Sequence, residues 1–194
     1  MSYIVVGLGN PGEEYTNTRH NTGRIVLNHI FGSDGWKMSS PHQSLLLKTK
    51  IGKTPVLCLQ PETFMNKSGI ALKSIEWNAK KASQLIVIHD ELDMGIGTFK
   101  ISFNRSAGGH RGVESIVKAI KTEGFIRIRI GISPVTPSGK VKKPVGEAVE
   151  KTILGEFKPV EQKNLKNLSK KVEEALTMLV EGNLYEAMSR FNAR

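Results

Sequence analysis

His20 lies in a polar run, Tyr15-Thr16-Asn17-Thr18-Arg19-His20-Asn21-Thr22-Gly23, directly after a short apolar segment. An imidazole placed there titrates near neutrality and can act as a general base on water; the plainer alternative is a surface histidine capping a turn. Such a base needs an orienting partner. Asp90, in His89-Asp90-Glu91-Leu92-Asp93, follows the apolar run Leu85–Ile88 and is best placed to accept from an imidazole N–H and fix its tautomer. Adjacent strand residues face opposite sides, so Asp90 and Glu91 are expected to serve different faces. Two other readings of this cluster stay open. One is an oxygen-rich cation site built from Asp90, Glu91 and Asp93, although no metal-binding helix motif or glycine-turned calcium loop accompanies it. The other is ordinary turn chemistry after a strand.

Asn10 and Asn66 each follow apolar segments, and an amide both accepts from water and donates to a developing oxyanion. Singly, each also suits a turn. Ser106-Ala107-Gly108-Gly109-His110-Arg111-Gly112 combines a free backbone with two polar side chains ahead of a helix, where a phosphate or carboxylate can be met. No serine nucleophile elbow is present, and the lone Cys58 sits inside an apolar run, so a covalent acyl-enzyme is not expected. Gly7-Leu8-Gly9-Asn10-Pro11-Gly12 fits the dinucleotide-binding glycine pattern in letters only. Its third glycine does not open a helix, and Asp34, the acid near the required distance, is flanked by a glycine-rich turn.

These residues must be held by alternating strands and helices. Residues 3–9 read as a strand, and Ile25, Val26, His29 and Ile30 as one helix face. Ser44–Lys50 and Pro55–Leu59 read as a hairpin, and Ser68–Asn78 as an amphipathic helix. Leu85–Ile88 reads as a central strand buried on both faces, ending at His89. Thr98–Phe103 is a further strand, and Val113, Ile116, Val117 and Ile120 mark a helix. Ile126, Ile128, Ile130 and Ile132 alternate with Arg127 and Arg129, which therefore share a face. Residues 133–146 form a basic, proline- and glycine-rich loop. Leu165, Leu168, Val172, Leu176 and Leu179 mark a long helix, with a shorter one at Leu184–Phe191. The pattern predicts an α/β fold over residues 1–194: one domain, a mixed and mostly parallel sheet, helices on both faces. Sites in such folds gather beyond the carboxyl ends of the strands, here after Gly9 and Ile88.

Composition narrows the class. The chain has 194 residues, 39% hydrophobic and 24% charged, with net charge +10. That excludes disordered and collagen-like chains. No apolar run reaches the ~20 residues of a membrane helix, and no secretory leader is visible after Met1. One cysteine allows no internal disulfide and no cysteine-based zinc site, which fits a reducing cytoplasm. The charge suits either solubility or a polyanionic partner. Residues 98–130 carry seven Lys and Arg against two Asp and Glu, half of the whole excess.

Five ordered segments together resemble the bacterial-type peptidyl-tRNA hydrolase family. They are Val6–Tyr15, Thr18–Gly23, Thr63–Gly69, His89–Asp93 and Gly108-Gly109-His110, and the likeness spans nearly the whole chain. The resemblance implies hydrolysis of the ester joining a peptide to the 3′ ribose of tRNA, by a cytoplasmic monomer without metal or cofactor. It implies His20 as general base, Asp90 as its stabiliser and Asn10 as discriminator of blocked from free aminoacyl ends. Tyr15, Phe64 and Asn66 would contact the substrate near its 3′ end, with His110 and Arg111 in the glycine loop. The chain departs from the family at Arg111, where asparagine is common, and at Arg105, where glycine is usual. Arg111 is expected to offer a charged donor to a phosphate or peptide carbonyl. Two rivals are a non-hydrolytic RNA-binding relative and a dinucleotide-dependent enzyme.

Overall fold

Strand β1 (Tyr3–Gly7) sends Ile4 and Val6 into one core and Val5 into another, on opposite faces of a sheet. Burial on both faces is why such a strand reads as an unbroken apolar run. The computed structural model describes residues 2–193; Met1 and Arg194, the two ends of the expected 1–194 domain, lie outside the described residues. Helix α1 (Thr22–Phe31) follows β1, then β2 (Lys37–Ser39), β3 (Ser44–Ile51) and β4 (Thr54–Pro61). Helix α2 (Ala79–Ala82), β5 (Leu85–Gly95), β6 (Phe99–Phe103), α3 (Arg111–Ile120) and β7 (Ile126–Ser133) come next. Helices α4 (Glu147–Ile153), α5 (Pro159–Val180) and α6 (Leu184–Asn192) complete the order.

Among the described residues, the strands form one seven-stranded sheet in the order β2-β3-β4-β1-β5-β7-β6. β1 pairs in parallel with β4 and β5, and β5 with β7. β3 and β6 are the reversed strands, so five of the seven point one way and the sheet is mixed but mostly parallel in direction. The β3–β4 hairpin closes through Gly52 and Lys53, as the spacing predicts. On one face α1, α5 and α6 cover Val5, Ile86, Ile88 and the isoleucines of β7; all five apolar positions expected of α5 are buried. On the other, α3 and the segment after β4 cover Ile4, Val6, Leu85 and Val87. Helices on both faces of the sheet agree with the sequence pattern.

Three local expectations are corrected. Residues 68–78 do not form an amphipathic α-helix. Met65–Leu72 is a tight 3-10 segment pressed onto α3, where a Cβ at Gly69 would fall 2.1 Å from the Ser115 carbonyl oxygen. β5 does not stop at His89 but runs to Gly95, with Asp90 paired opposite Ile130. Residues 133–146 are folded by a β-bridge between Val135 and Val141, and α4 follows as an element the sequence reading did not contain.

Candidate active site

The carboxyl ends of β1 and β4 and the middle of β5 bring their residues to a cleft of about 580 Å³. Asn10 follows β1, Met65 and Asn66 follow β4, and Asp90 projects from β5. His110 and Arg111 enter from the start of α3, and Tyr15, His20 and Phe64 complete the sequence-derived set. All eight candidates therefore line one cleft. Leu92 of β5, with Val149 and Ile153 of the unforeseen α4 and Leu154 just after it, adds an apolar wall.

His20 sits in a 3-10 turn, Arg19–Asn21, whose three side chains are all buried. Gly23 makes that placement feasible: a Cβ there would lie 2.3 Å from both the Ile88 carbonyl oxygen and the Leu8 amide. Only glycine lets the first turn of α1 lie this close to β1 and β5. Arg19 anchors the turn from behind. Its guanidinium donates to Glu161 at 2.8 Å and lies 5.0 Å over the Phe157 ring, while its amide donates to the Gly155 carbonyl.

His20 Nδ1 lies 3.0 Å from each carboxylate oxygen of Asp90. A carboxylate only accepts, so Nδ1 carries the hydrogen and Nε2 is left as the basic atom. Asp90 also meets His110 Nε2 at 2.9 Å. His110 caps α3, and its Nδ1 accepts from the amides of Gly112 at 3.2 Å and Val113 at 3.3 Å. Its tautomer is thereby set: Nδ1 bare, Nε2–H toward Asp90. The buried carboxylate is thus held by two imidazole donors, which outweigh burial and keep its pKa far below the usual carboxylate range. Burial lowers the pKa of His20 and the nearby Arg111 adds to that, but the charge and hydrogen bond of Asp90 prevail and raise it.

Ligand-type atoms of His20, Asp90 and His110 lie within 4.8 Å of one another. Their hydrogen bonds suit a proton-holding network, not a cation. A His110 ligating through Nε2 would carry its hydrogen on Nδ1, aimed at two amide N–H groups. The alternative cation site is not assembled either. Asp90 turns to the histidines, Glu91 pairs with Arg129 at 3.4 Å, and Asp93 pairs with Lys143. Asp90 and Glu91 take different partners, yet both line the cleft, so the expectation that strand alternation sends them to different faces does not keep Glu91 out of it.

Asn10 is fixed at both its main chain and its side chain. Its Oδ1 accepts from the Met65 amide at 2.8 Å, while Asn21 bonds its backbone N–H and carbonyl at 2.8 and 2.9 Å. Tyr15 and Phe64 meet edge to face, 6.3 Å apart, and Phe64 is 57% exposed at the cleft mouth. Asn66 is exposed and lines both this cleft and a smaller one with Arg111, Glu114, Ser115 and Lys118.

Several residues escaped the sequence reading. His89 is wholly buried, with Nδ1 2.6 Å from the Asp90 carbonyl oxygen and its ring 4.6 Å from that of His110. Arg127 is buried and donates to the carbonyls of Arg105 and Ser106 at 3.2 and 2.9 Å, tethering the glycine loop. Its alternation on β7 gave its face but not this partner. Arg105 needs no glycine-like conformation; the left-handed φ of 51° falls on Asn104.

A model of the peptidyl-tRNA hydrolase family matches residues 4–194. The chain is 38% identical over 193 residues to a peptidyl-tRNA hydrolase of Aquifex aeolicus, covering 97% of this chain and 95% of that protein. It is 35% identical over 192 residues to one from Caldanaerobacter subterraneus subsp. tengcongensis, covering 98% and 99%. The crystal structure of peptidyl-tRNA hydrolase from Acinetobacter baumannii superposes with a TM-score of 0.83 at 29% identity, covering 98% of this chain and 94% of that one. Full-length likeness in sequence and fold joins the five ordered motifs and the cleft they build: the chain belongs to the peptidyl-tRNA hydrolase family.

Proposed function

We propose that this chain hydrolyses peptidyl-tRNA at the ester linking the peptide to the 3′ ribose, acting over residues 1–194 as one domain and without a cofactor or metal. The observation that carries the reading is the His20–Asp90 pair, which leaves His20 Nε2 basic at the floor of the cleft. His20 takes a proton from water, and the resulting hydroxide attacks the ester carbonyl. Amide groups of Asn10 and Asn66 steady the oxyanion. The tetrahedral intermediate expels the 3′ oxygen, which recovers the proton from the His20 imidazolium, and the peptide leaves as a carboxylic acid that releases its proton to solvent, with tRNA set free. Asp90 stabilises the imidazolium as it forms.

Asn10 distinguishes N-blocked from free aminoacyl ends, as the family likeness implies, and Tyr15, Phe64 and Asn66 contact the 3′ end. His110 fits two tasks, holding Asp90 through Nε2 and presenting the start of α3 to the substrate. Arg111 donates to a phosphate or a peptide carbonyl. The exposed Arg105, Lys118, Lys121, Lys140 and Lys142 follow the acceptor stem through its phosphates. Among the described residues no helix is long and apolar enough to cross a membrane; a cytoplasmic monomer is what the family likeness implies.

The test uses N-acetyl-aminoacyl-tRNA and free aminoacyl-tRNA without added cofactor, following release of the acyl group. Cleavage of the blocked ester alone, abolished by His20→Asn, is the expected result. Binding of the blocked substrate without cleavage would overturn the reading and leave a non-hydrolytic RNA-binding relative.

A further inference from the structure

Asn21 occupies the N-cap of α1, where asparagine ordinarily accepts from the helix's own amides. Here it makes no such bond. Its side chain turns instead to Asn10, accepting from the backbone N–H at 2.8 Å and donating to the backbone carbonyl at 2.9 Å. The pair is dry, Asn21 being 3% exposed and Asn10 8%. The approach is close enough to constrain the preceding residue: a Cβ on Gly9 would sit 3.0 Å from Asn21 Cγ and 2.6 Å from Arg24 Cδ. A capping interaction has been given up for a two-point grip on the segment leaving β1. Departures from local preference of this kind mark functional positions.

The direction of the grip is informative. His20 and Asn21 are consecutive in one 3-10 turn; the first is bonded to Asp90 of β5 and the second to the segment after β1. Asn10 Oδ1 is already held by the Met65 amide, so with the main chain fixed by Asn21 only the orientation toward the cleft remains for its NH₂. We propose that Asn21 is a positioning residue that sets the Asn10 amide in register with the His20 imidazole, so that one rigid turn fixes both the base and the group beside the scissile ester. This rests on the proposed roles of His20 and Asn10. Displacing a reacting group by about 1 Å costs on the order of 10²-fold in rate, so the grip bears on kcat more than on substrate affinity.

Asn21→Ser is the informative variant. Serine restores a good N-cap for α1 but is too short to bridge the Asn10 backbone. Asn21→Asp keeps the acceptor for the Asn10 N–H and loses the donor to its carbonyl. The measurements are kcat and KM on N-acetyl-aminoacyl-tRNA, the rate ratio of blocked to free aminoacyl-tRNA, the acid limb of the pH profile, and Tm. Asn21→Ser should lower kcat by about 10- to 100-fold and reduce the blocked-to-free ratio. Its acid limb should stay where Asp90 sets it, and Tm should fall only modestly, the new cap offsetting part of the two buried bonds lost. Asn21→Asp should fall between wild type and Asn21→Ser. In an Asn10→Ala background the effect of Asn21→Ser should shrink to within about two-fold, because the group it positions is gone. An undiminished effect in that background, or an unchanged blocked-to-free ratio with active wild type, overturns the proposal while leaving the hydrolase reading intact. Inactive wild type overturns both.

Discussion

Replacing Asp90 by asparagine tests how the cleft sets the proton on His20. The carboxylate, 2% exposed, faces two ring N–H groups, His20 Nδ1 at 3.0 Å and His110 Nε2 at 2.9 Å. An amide of the same shape has one accepting oxygen and one donating NH₂. His20 Nδ1 lies 3.0 Å from both carboxylate oxygens whereas His110 meets only Oδ1, so an NH₂ at the other position stands against the His20 N–H. His110 cannot yield, because its Nδ1 accepts from the amides of Gly112 and Val113 and its hydrogen must stay on Nε2. The introduced oxygen therefore goes to His110 and the NH₂ confronts His20. His20 responds by accepting at Nδ1 and moving its hydrogen to Nε2, the atom that must receive the proton of water. A wrong tautomer of this kind costs about 10³–10⁴-fold in kcat. The pH profile adds an independent reading. In the proposed mechanism neutral His20 is the active form, so the acid limb of kcat/KM follows its pKa, which Asp90 raises above the usual imidazole range. Removing that negative charge leaves burial and Arg111, both of which lower it, so residual activity should show an acid limb displaced downward. The assay is initial-rate hydrolysis of N-acetyl-aminoacyl-tRNA between about pH 5 and 9, with chromatographic and thermal checks of folding. A loss under about 10-fold, or an acid limb that does not move, would refute orientation of His20 through Asp90.

Arg111→Asn removes a positive charge that lowers the His20 pKa, so the acid limb should move upward, less so at high salt, and KM should rise if Arg111 binds substrate. Unchanged kcat and KM would remove Arg111 from substrate handling. Arg19→Ala breaks a largely buried ion pair with Glu161 behind the base; the expected cost is about 3 kcal/mol, or roughly 6–12 °C in Tm for a chain of this size. Calorimetry checks it, and a shift under about 2 °C would show that the pair does not hold the turn. Affinity for tRNA should fall steeply from low to moderate salt as phosphate contacts release counterions; a flat response by filter binding or anisotropy would reject phosphate tracking.

Burial on two faces writes itself into a sequence plainly, and β1 and the first half of β5 are legible for that reason; the α5 stripe is legible from its helical period. So were the segments that carry chemistry, because polar side chains after apolar strands are where such folds place sites. The continuation of β5 past His89 was not legible. A strand is expected to end where polar residues begin, yet Asp90 stays in the ladder because its carboxylate is satisfied by two histidines remote in sequence. The 3-10 segment at Met65–Leu72 depends on contact with Ser115, information absent from its own residues. Helix α4 has seven residues, none fully buried, and leaves almost no periodic signal. Asn21 reads as an ordinary helix cap, and only its missing capping bond reveals another task.

Net charge is the quantity that the structure reinterprets most. Seven cations fall within residues 98–130, but they are not equivalent. Arg127, 3% exposed, has its guanidinium committed to the carbonyls of Arg105 and Ser106, and Arg129 pairs with Glu91 on the neighbouring strand. Arg127 thus holds the loop from beneath, while Arg129 is taken up by Glu91. Arg105, Arg111, Lys118 and Lys121 remain exposed around the start and end of α3, where a polyanion can reach them. Arg111 further borders both the His20 cleft and the smaller one shared with Asn66 and Lys118. The excess is therefore layered, with the buried Arg127 shaping the loop that presents His110, Arg129 neutralising Glu91, and the surface cations exposed to a polyanion. Loss of Arg127 should consequently disturb the Asp90–His110 contact and kcat, whereas loss of Lys118 should weaken tRNA binding and its salt dependence while leaving kcat unchanged.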